Sequence, residues 1–166
     1  GRLDIAIANG HVMANAALVR ATFAQRNLLL RQVDGRFQDM KEHAGPGFSI
    51  ELVSRGLAAG DIDNDGDLDL LVTNNGGPAN LLLNEGLARR PVRRSSSEGG
   101  SDAEAASGNA LLVRGIGSKS NRSGIGARLT LTTNERPQDP EVQSGSSYLG
   151  QNDLRAHFGH GSATRS

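Results

Sequence analysis

Five aspartates alternate through Asp61-Ile62-Asp63-Asn64-Asp65-Gly66-Asp67-Leu68-Asp69. Carboxylates at positions 1, 3 and 5 of such a run can converge on one cation if the backbone coils around it, and a glycine at position 6, here Gly66, permits the sharp turn. Position 7 ordinarily contributes its backbone carbonyl, so the side chain of Asp67 can point away. So many hard oxygen donors suit Ca2+, whereas Mg2+ asks for a tighter octahedron with more waters. The run is not an EF-hand. Its twelfth residue is Val72 where that motif needs Glu, and Leu70-Leu71-Val72 continues as a strand rather than a helix. Asp69, at the head of that strand, is therefore expected to supply the last carboxylate. The bland alternative is an acidic β-turn without an ion. Against it, neighbouring carboxylates repel by roughly 1 kcal/mol per pair at contact range even at water-like dielectric, and a cation removes that penalty. The expected metal site is Asp61, Asp63, Asp65, Asp67 and Asp69, with Ca2+ as its ion. Gly1-Arg2-Leu3-Asp4 reads as the tail of a second such loop, and Asp4 is not counted as a site.

Other chemistries fit less well. Gly115-Ile116-Gly117-Ser118-Lys119-Ser120 hints at a phosphate loop, but Ser118 separates the Gly-Lys pair that motif needs, and the sequence is expected to go on as a β-strand instead of a helix. A Gly-rich hairpin is the plainer reading. Asn121-Arg122-Ser123 is a glycosylation triplet, a pattern common by chance and here better read as a polar turn. His11, His43, His157 and His160 have no ligand spacing, since a strand would put His157 and His160 on opposite faces. No Gly-x-Ser-x-Gly elbow marks a nucleophile. Every clustered aspartate is better used by calcium than as a glycosidase acid pair. No catalytic residue and no organic cofactor is assigned, and the chain is not expected to be an enzyme.

The elements that must position the aspartates follow from composition and pattern. With 22 Gly and 3% aromatics in 166 residues, the chain favours a turn-rich all-β architecture with a thin aliphatic core. Lys plus Arg balances Asp plus Glu at 18 each, so nothing in the net charge favours nucleic acid or an anionic membrane. Absent cysteine excludes a disulfide framework and thiolate zinc sites. No apolar run is long enough to span a bilayer, and no signal peptide is visible in a sequence that begins in the middle of a motif. Residues 88–108, rich in Arg, Ser, Gly and Ala, are too poor in aliphatics to offset the entropy of ordering and are expected to be a flexible linker.

Before the linker the sequence repeats itself. Gly1-Arg2-Leu3-Asp4-Ile5-Ala6-Ile7-Ala8-Asn9 matches Gly66-Asp67-Leu68-Asp69-Leu70-Leu71-Val72-Thr73-Asn74, an offset of 65 (66 minus 1). Asn27-Leu28-Leu29-Leu30 matches Asn80-Leu81-Leu82-Leu83, an offset of 53 (80 minus 27). Repeats of this size point to a propeller or solenoid, because one unit cannot bury its apolar face alone. Strands are expected at Leu3–Ala8 and Leu68–Thr73, both as buried strands, and at Leu28–Arg31, Gly35–Met40, Gly56–Gly60 and Asn80–Asn84. Asn75-Gly76-Gly77-Pro78 is expected to turn, and Ala14–Ala24 to form a short helix.

Gly56-Leu57-Ala58-Ala59-Gly60-Asp61 before the aspartate loop and Asp69-Leu70-Leu71-Val72-Thr73-Asn74 after it resemble the FG-GAP or VCBS repeat, the blade unit of integrin-like β-propellers. Gly117-Ser118-Lys119-Ser120-Asn121-Arg122-Ser123-Gly124-Ile125-Gly126-Ala127-Arg128 is similar to the signature of the ASPIC/UnbV domain. So is Gln143-Ser144-Gly145-Ser146-Ser147-Tyr148-Leu149 with His157-Phe158-Gly159, and Asn9-Gly10-His11-Val12 also recurs in that family. Cartilage acidic protein and many bacterial secreted proteins are among its members. The resemblance implies a calcium-stabilised propeller followed by a small β domain, with adhesive or matrix roles and no established catalysis. Of the family's functional residues only the calcium ligands carry over, at Asp61, Asp63, Asp65, Asp67 and Asp69. The sequence departs from the family at Ala110, where an aromatic is usual, at Gly115, where an aliphatic is usual, and at His160, where Leu is expected.

The expected organisation is therefore a partial FG-GAP/VCBS-like propeller over 1–87, the linker 88–108, and a C-terminally truncated ASPIC/UnbV-like β domain over 109–166. About one and a half blades are present, and a closed propeller needs at least four. The expected function is a non-catalytic, calcium-binding adhesion or interaction module, secreted or otherwise extracytoplasmic, with a protein or glycan ligand, no nucleic acid and no membrane span. The alternatives are an accessory protein or enzyme of a biosynthetic pathway, as the UnbV half of the family name suggests, and a truncated fragment without a function of its own.

Overall fold

The computed structural model describes residues 3–12, 22–86, 109–132 and 137–161, and all its regular elements are β-strands apart from two single 3-10 turns at Lys41–Ala44 and Pro46–Ser49. The expected linker, 88–108, lies outside the described residues. So does most of the expected helix over 14–24, whose described end, 22–24, is bent rather than helical.

Each repeat builds a three-stranded antiparallel sheet. In the first, β1 (Ile5–Ile7), β3 (Leu28–Val33) and β4 (Arg36–Asp39) lie in the order β1-β3-β4. In the second, β6 (Ser54–Gly60), β7 (Asp69–Asn74) and β8 (Asn80–Leu82) lie in the order β6-β7-β8. A separate two-stranded sheet pairs β2 (Gln25–Arg26) with β5 (Glu51–Leu52). The equivalent pairings differ by one residue in register. Ile5 faces Leu30, which the two offsets map onto Leu70 opposite Leu83, whereas Leu70 in fact faces Leu82. A polar clasp is common to both sheets. The side-chain oxygen of Asn27 accepts the Asn9 backbone N–H at 2.9 Å, and that of Asn80 accepts from the Asn74 side-chain Nδ2 at 2.6 Å. The repeated asparagines thus fasten the end of one strand to the start of the next.

The strands are less buried than their aliphatic runs imply. Val72 is 1% exposed, but Leu71 and Leu81 are 41% and 49% exposed, and Ile5 of β1 is 40% exposed. Alternation along a pleated strand sends successive side chains to opposite faces, and in β7 Leu70 and Val72 share the covered one, whereas no residue of β1, β3 or β4 is fully buried. The expectation of buried strands holds for one face of β7 and fails at β1, where Ile5 is exposed and Ala6 and Ile7 are half-buried.

Downstream, β9 (Asn109–Val113) pairs antiparallel with β10 (Ala156–Gly161). The stretch between them runs in turns and isolated bridges. Residues 126–131 lie against 138–142 through Gly126 N–H to Val142 O, Val142 N–H to Ala127 O and Leu129 N–H to Pro140 O. Gln138 reaches from this ladder to the Gly159 carbonyl of β10 at 2.8 Å. Val142, Ala156 and Phe158 are the buried apolar residues here. The strand expected beyond Gly115–Ser120 is absent: the chain turns repeatedly, because Asn121 accepts the Ile125 N–H (2.7 Å) and donates to the Ile125 carbonyl (2.9 Å). A side chain that satisfies a backbone four residues on competes with ladder pairing. No helix follows either, which leaves the phosphate-loop reading without its second element.

Candidate metal site

Strands β6 and β7 are the two legs of a hairpin closed by the pair Gly60↔Asp69, and the aspartate run is its connection. Asp61 organises the loop. Its carboxylate is 1% exposed and accepts the Asp65 N–H on Oδ1 (3.1 Å) and the Gly66 N–H on Oδ2 (3.0 Å). Those two bonds coil the chain around the carboxylate, and Asn64 and Gly66 take positive φ, 58° and 94°, to complete the coil. Asparagine tolerates that region and glycine enters it without steric cost. The Asp65 Oδ1 in turn accepts the Asp67 N–H at 2.9 Å.

The coil gathers three carboxylates. One oxygen from each of Asp61, Asp63 and Asp65 lies within 4.8 Å of the others, with Asp61 buried and the other two exposed. The donor set fits a hard cation. An N–H bond uses one lone pair of a carboxylate oxygen and leaves a second able to bind, so Asp61 can both shape the loop and coordinate. Electrostatics agree. Burial, and then the charges of Asp65, Asp61 and Asp69, raise the Asp67 carboxyl above the ordinary carboxylate range against the opposing pull of His157. A bound cation would reverse that crowding of negative charge.

Asp69 stands apart from the trio. It is 1% exposed, with Oδ2 accepting the Ile62 N–H (2.9 Å) and Oδ1 the Asn84 N–H (2.8 Å). It thereby ties the floor of the loop to the end of β8.

Sequence reasoning missed three residues that shape the loop. Arg155 donates from Nη1 to the Asn64 side-chain oxygen (2.7 Å) and from Nη2 to the Asp61 carbonyl (2.6 Å). The His157 Nε2 lies 2.6 Å from the Gly66 carbonyl. Asn64 itself reads in the sequence only as a spacer between aspartates. Arg155 and His157 are more than ninety residues away in sequence, and their only signal is membership of the stretch that ends in His157-Phe158-Gly159.

Two family models match parts of this chain. Residues 1–72 match the family model described as FG-GAP-like repeat, and residues 117–166 match the one described as ASPIC and UnbV. Both resemblances drawn from the sequence are borne out, as is the all-β class. FG-GAP-like repeats are non-catalytic units typical of extracellular proteins. No curated protein and no solved structure gives a significant match. Among the described residues, no helix is long and apolar enough to cross a membrane.

Proposed function

We propose that this chain is a non-catalytic, calcium-binding module of an extracytoplasmic protein, serving adhesion or interaction with a protein or glycan partner. It comprises FG-GAP-like repeats over 1–87, a linker over 88–108 and an ASPIC/UnbV-like β unit over 109–166. The observation that carries the reading is the hairpin connection that draws oxygens of Asp61, Asp63 and Asp65 within 4.8 Å of one another. Calcium held there acts structurally, neutralising a crowded loop and fixing the turn between two strands of a sheet. Asp67, through its carbonyl, and Asp69, through lone pairs beyond its two N–H bonds, complete the proposed ligand set.

Calcium titration by calorimetry, with melting followed in parallel, tests this. Saturable binding close to one ion per chain and a raised Tm are expected, since an ion that binds only the folded state adds about 2.7 kcal/mol at a hundred times its Kd. Asp63→Ala and Asp65→Ala remove exposed carboxylates, and each is expected to weaken binding and shrink the Tm gain. Melting that ignores calcium in the parent protein would overturn the proposal.

A further inference from the structure

The downstream half of the chain is fitted to the aspartate loop along a continuous path. Residues 150–153 run beside β6. The Asp153 N–H donates to the Ala59 carbonyl (2.9 Å), and the Ala59 N–H donates to the Asn152 side-chain oxygen (2.9 Å). Gly150 passes so near that a Cβ there would lie 2.8 Å from the Leu57 carbonyl oxygen. The contact is not close-packed, for a cleft of about 300 Å3 opens between Ala58–Ile62 and Gln151, Asp153 and Arg155. Polar anchors hold the segment instead, and the last of them, Arg155 and His157, grip the loop.

Where they grip matters. Arg155 takes the carbonyl of Asp61 and the side chain of Asn64, and His157 takes the carbonyl of Gly66. These groups belong to positions 1, 4 and 6 of the loop, and none is a carboxylate. Arg155 is also paired with Asp153, Nε to Oδ2 at 2.6 Å, so the clamp brings an ion pair rather than a bare cation toward the acidic loop. A guanidinium bound to the loop's carboxylates would compete with a metal. One bound to outer backbone and amide groups, with its charge balanced, holds the coil in shape instead.

We infer that Arg155 and His157 are positioning residues for the cation, and that ion binding in the loop and docking of residues 148–157 on β6 are thermodynamically coupled. The inference rests on the calcium reading above. The ion fixes the coil whose outer groups the segment binds, and the segment in turn pre-forms the coil that the ion binds, so each favours the other by the same factor.

The test uses the full chain, with calorimetric calcium titration and hydrogen exchange of the peptide covering 148–157. Calcium is expected to slow exchange in that peptide in the parent protein and not in Asp63→Ala. Arg155→Ala is expected to weaken calcium binding about tenfold, and His157→Ala, the second variant should the first fail to fold, is expected to weaken it less. The direction of change is diagnostic. Removing Arg155 leaves Asp153 unbalanced, and by charge alone that would strengthen calcium binding. Unchanged or tighter binding in the folded variants, or calcium binding that leaves exchange over 148–157 untouched, overturns the coupling while the calcium reading stands. A parent chain that binds no calcium overturns both.

Discussion

The two repeats place an aspartate at the head of the same strand, and the described residues around the two aspartates differ. Asp4 is exposed and accepts the Gln32 N–H across from β1 at 3.0 Å. Asp69 makes the matching bond to Asn84, and it also accepts the Ile62 N–H from the loop coiled over it, which leaves it 1% exposed. The cross-strand bond is common to both repeats, and at Asp69 the burial comes from the Asp61–Asp69 loop coiled over it. A carboxylate that braces a ladder thus becomes the floor of a candidate metal site once acidic chain folds back across it. That second role also explains why Asp69 stands outside the trio that converges.

The contrast is open to measurement. The largest expected effect is Asp69→Ala, which leaves two backbone N–H groups without their acceptor and should cost roughly 2–5 kcal/mol in urea unfolding without calcium. Asp4→Ala, at the surface, should lie within the scatter of ordinary surface changes. Equal losses at the two positions would break the comparison. Next comes the apolar pair that the repeat aligns. Val72→Ala empties a site that is 1% exposed and should cost about 2 kcal/mol. Ile7→Ala removes more carbon from a half-buried position and should nonetheless cost less. A reversed order would show that the first sheet is the better covered.

The smallest effect sharpens the comparison through acidity. In the first repeat the Arg26 side chain, and then the Lys41 N–H, hold the Asp39 carboxyl below the ordinary carboxylate range. A folded-state pKa below the unfolded one means that this pair stabilises fully above the ordinary range and loses its contribution as pH falls through the depressed folded value. The two side chains keep 35% and 27% of their surface in water, where solvent screens the pair, so the effect is small. Comparing acid unfolding of Arg26→Ala with that of the parent should show a slightly shallower loss of stability in the variant. Indistinguishable profiles would remove the pair from the account.

Much of the first half is legible in the sequence because its signals are local. Short aliphatic runs bounded by Asn and Gly mark β1, β3, β7 and β8, and Gly56–Gly60 marks β6, to within a few residues, and alternate aspartates around Gly66 mark the hairpin connection. The downstream half is harder to read. Asn121 reads as part of a polar turn, yet the next residues still read as a strand, because nothing in their types announces that one side chain will satisfy both backbone groups of Ile125. The clamp of Arg155 and His157 leaves no periodic trace at all. Contacts across more than ninety residues are made by single polar atoms, and periodicity reports only what neighbours in sequence share. Ala110 is a related case. In the sequence it stands out only as a departure from the family's usual aromatic, but its Cβ lies 3.3 Å from where a side chain on Gly66 would begin, so a small residue there suits the loop beside it.

The segment alongside β6 also closes one edge of a sheet. A sheet edge carries a row of N–H and C=O groups ready to recruit another strand, and long bare edges invite aggregation. Through Asn152 and Asp153, one edge of the β6-β7-β8 sheet is taken up by the chain itself, partly by a side-chain amide that satisfies an N–H without offering a strand. Among the described residues the β8 edge has no such cover, and Leu81 and Leu83 beside it are about half exposed. Among the described residues, then, the β6 edge is the occupied one and β8 the edge that presents free backbone groups.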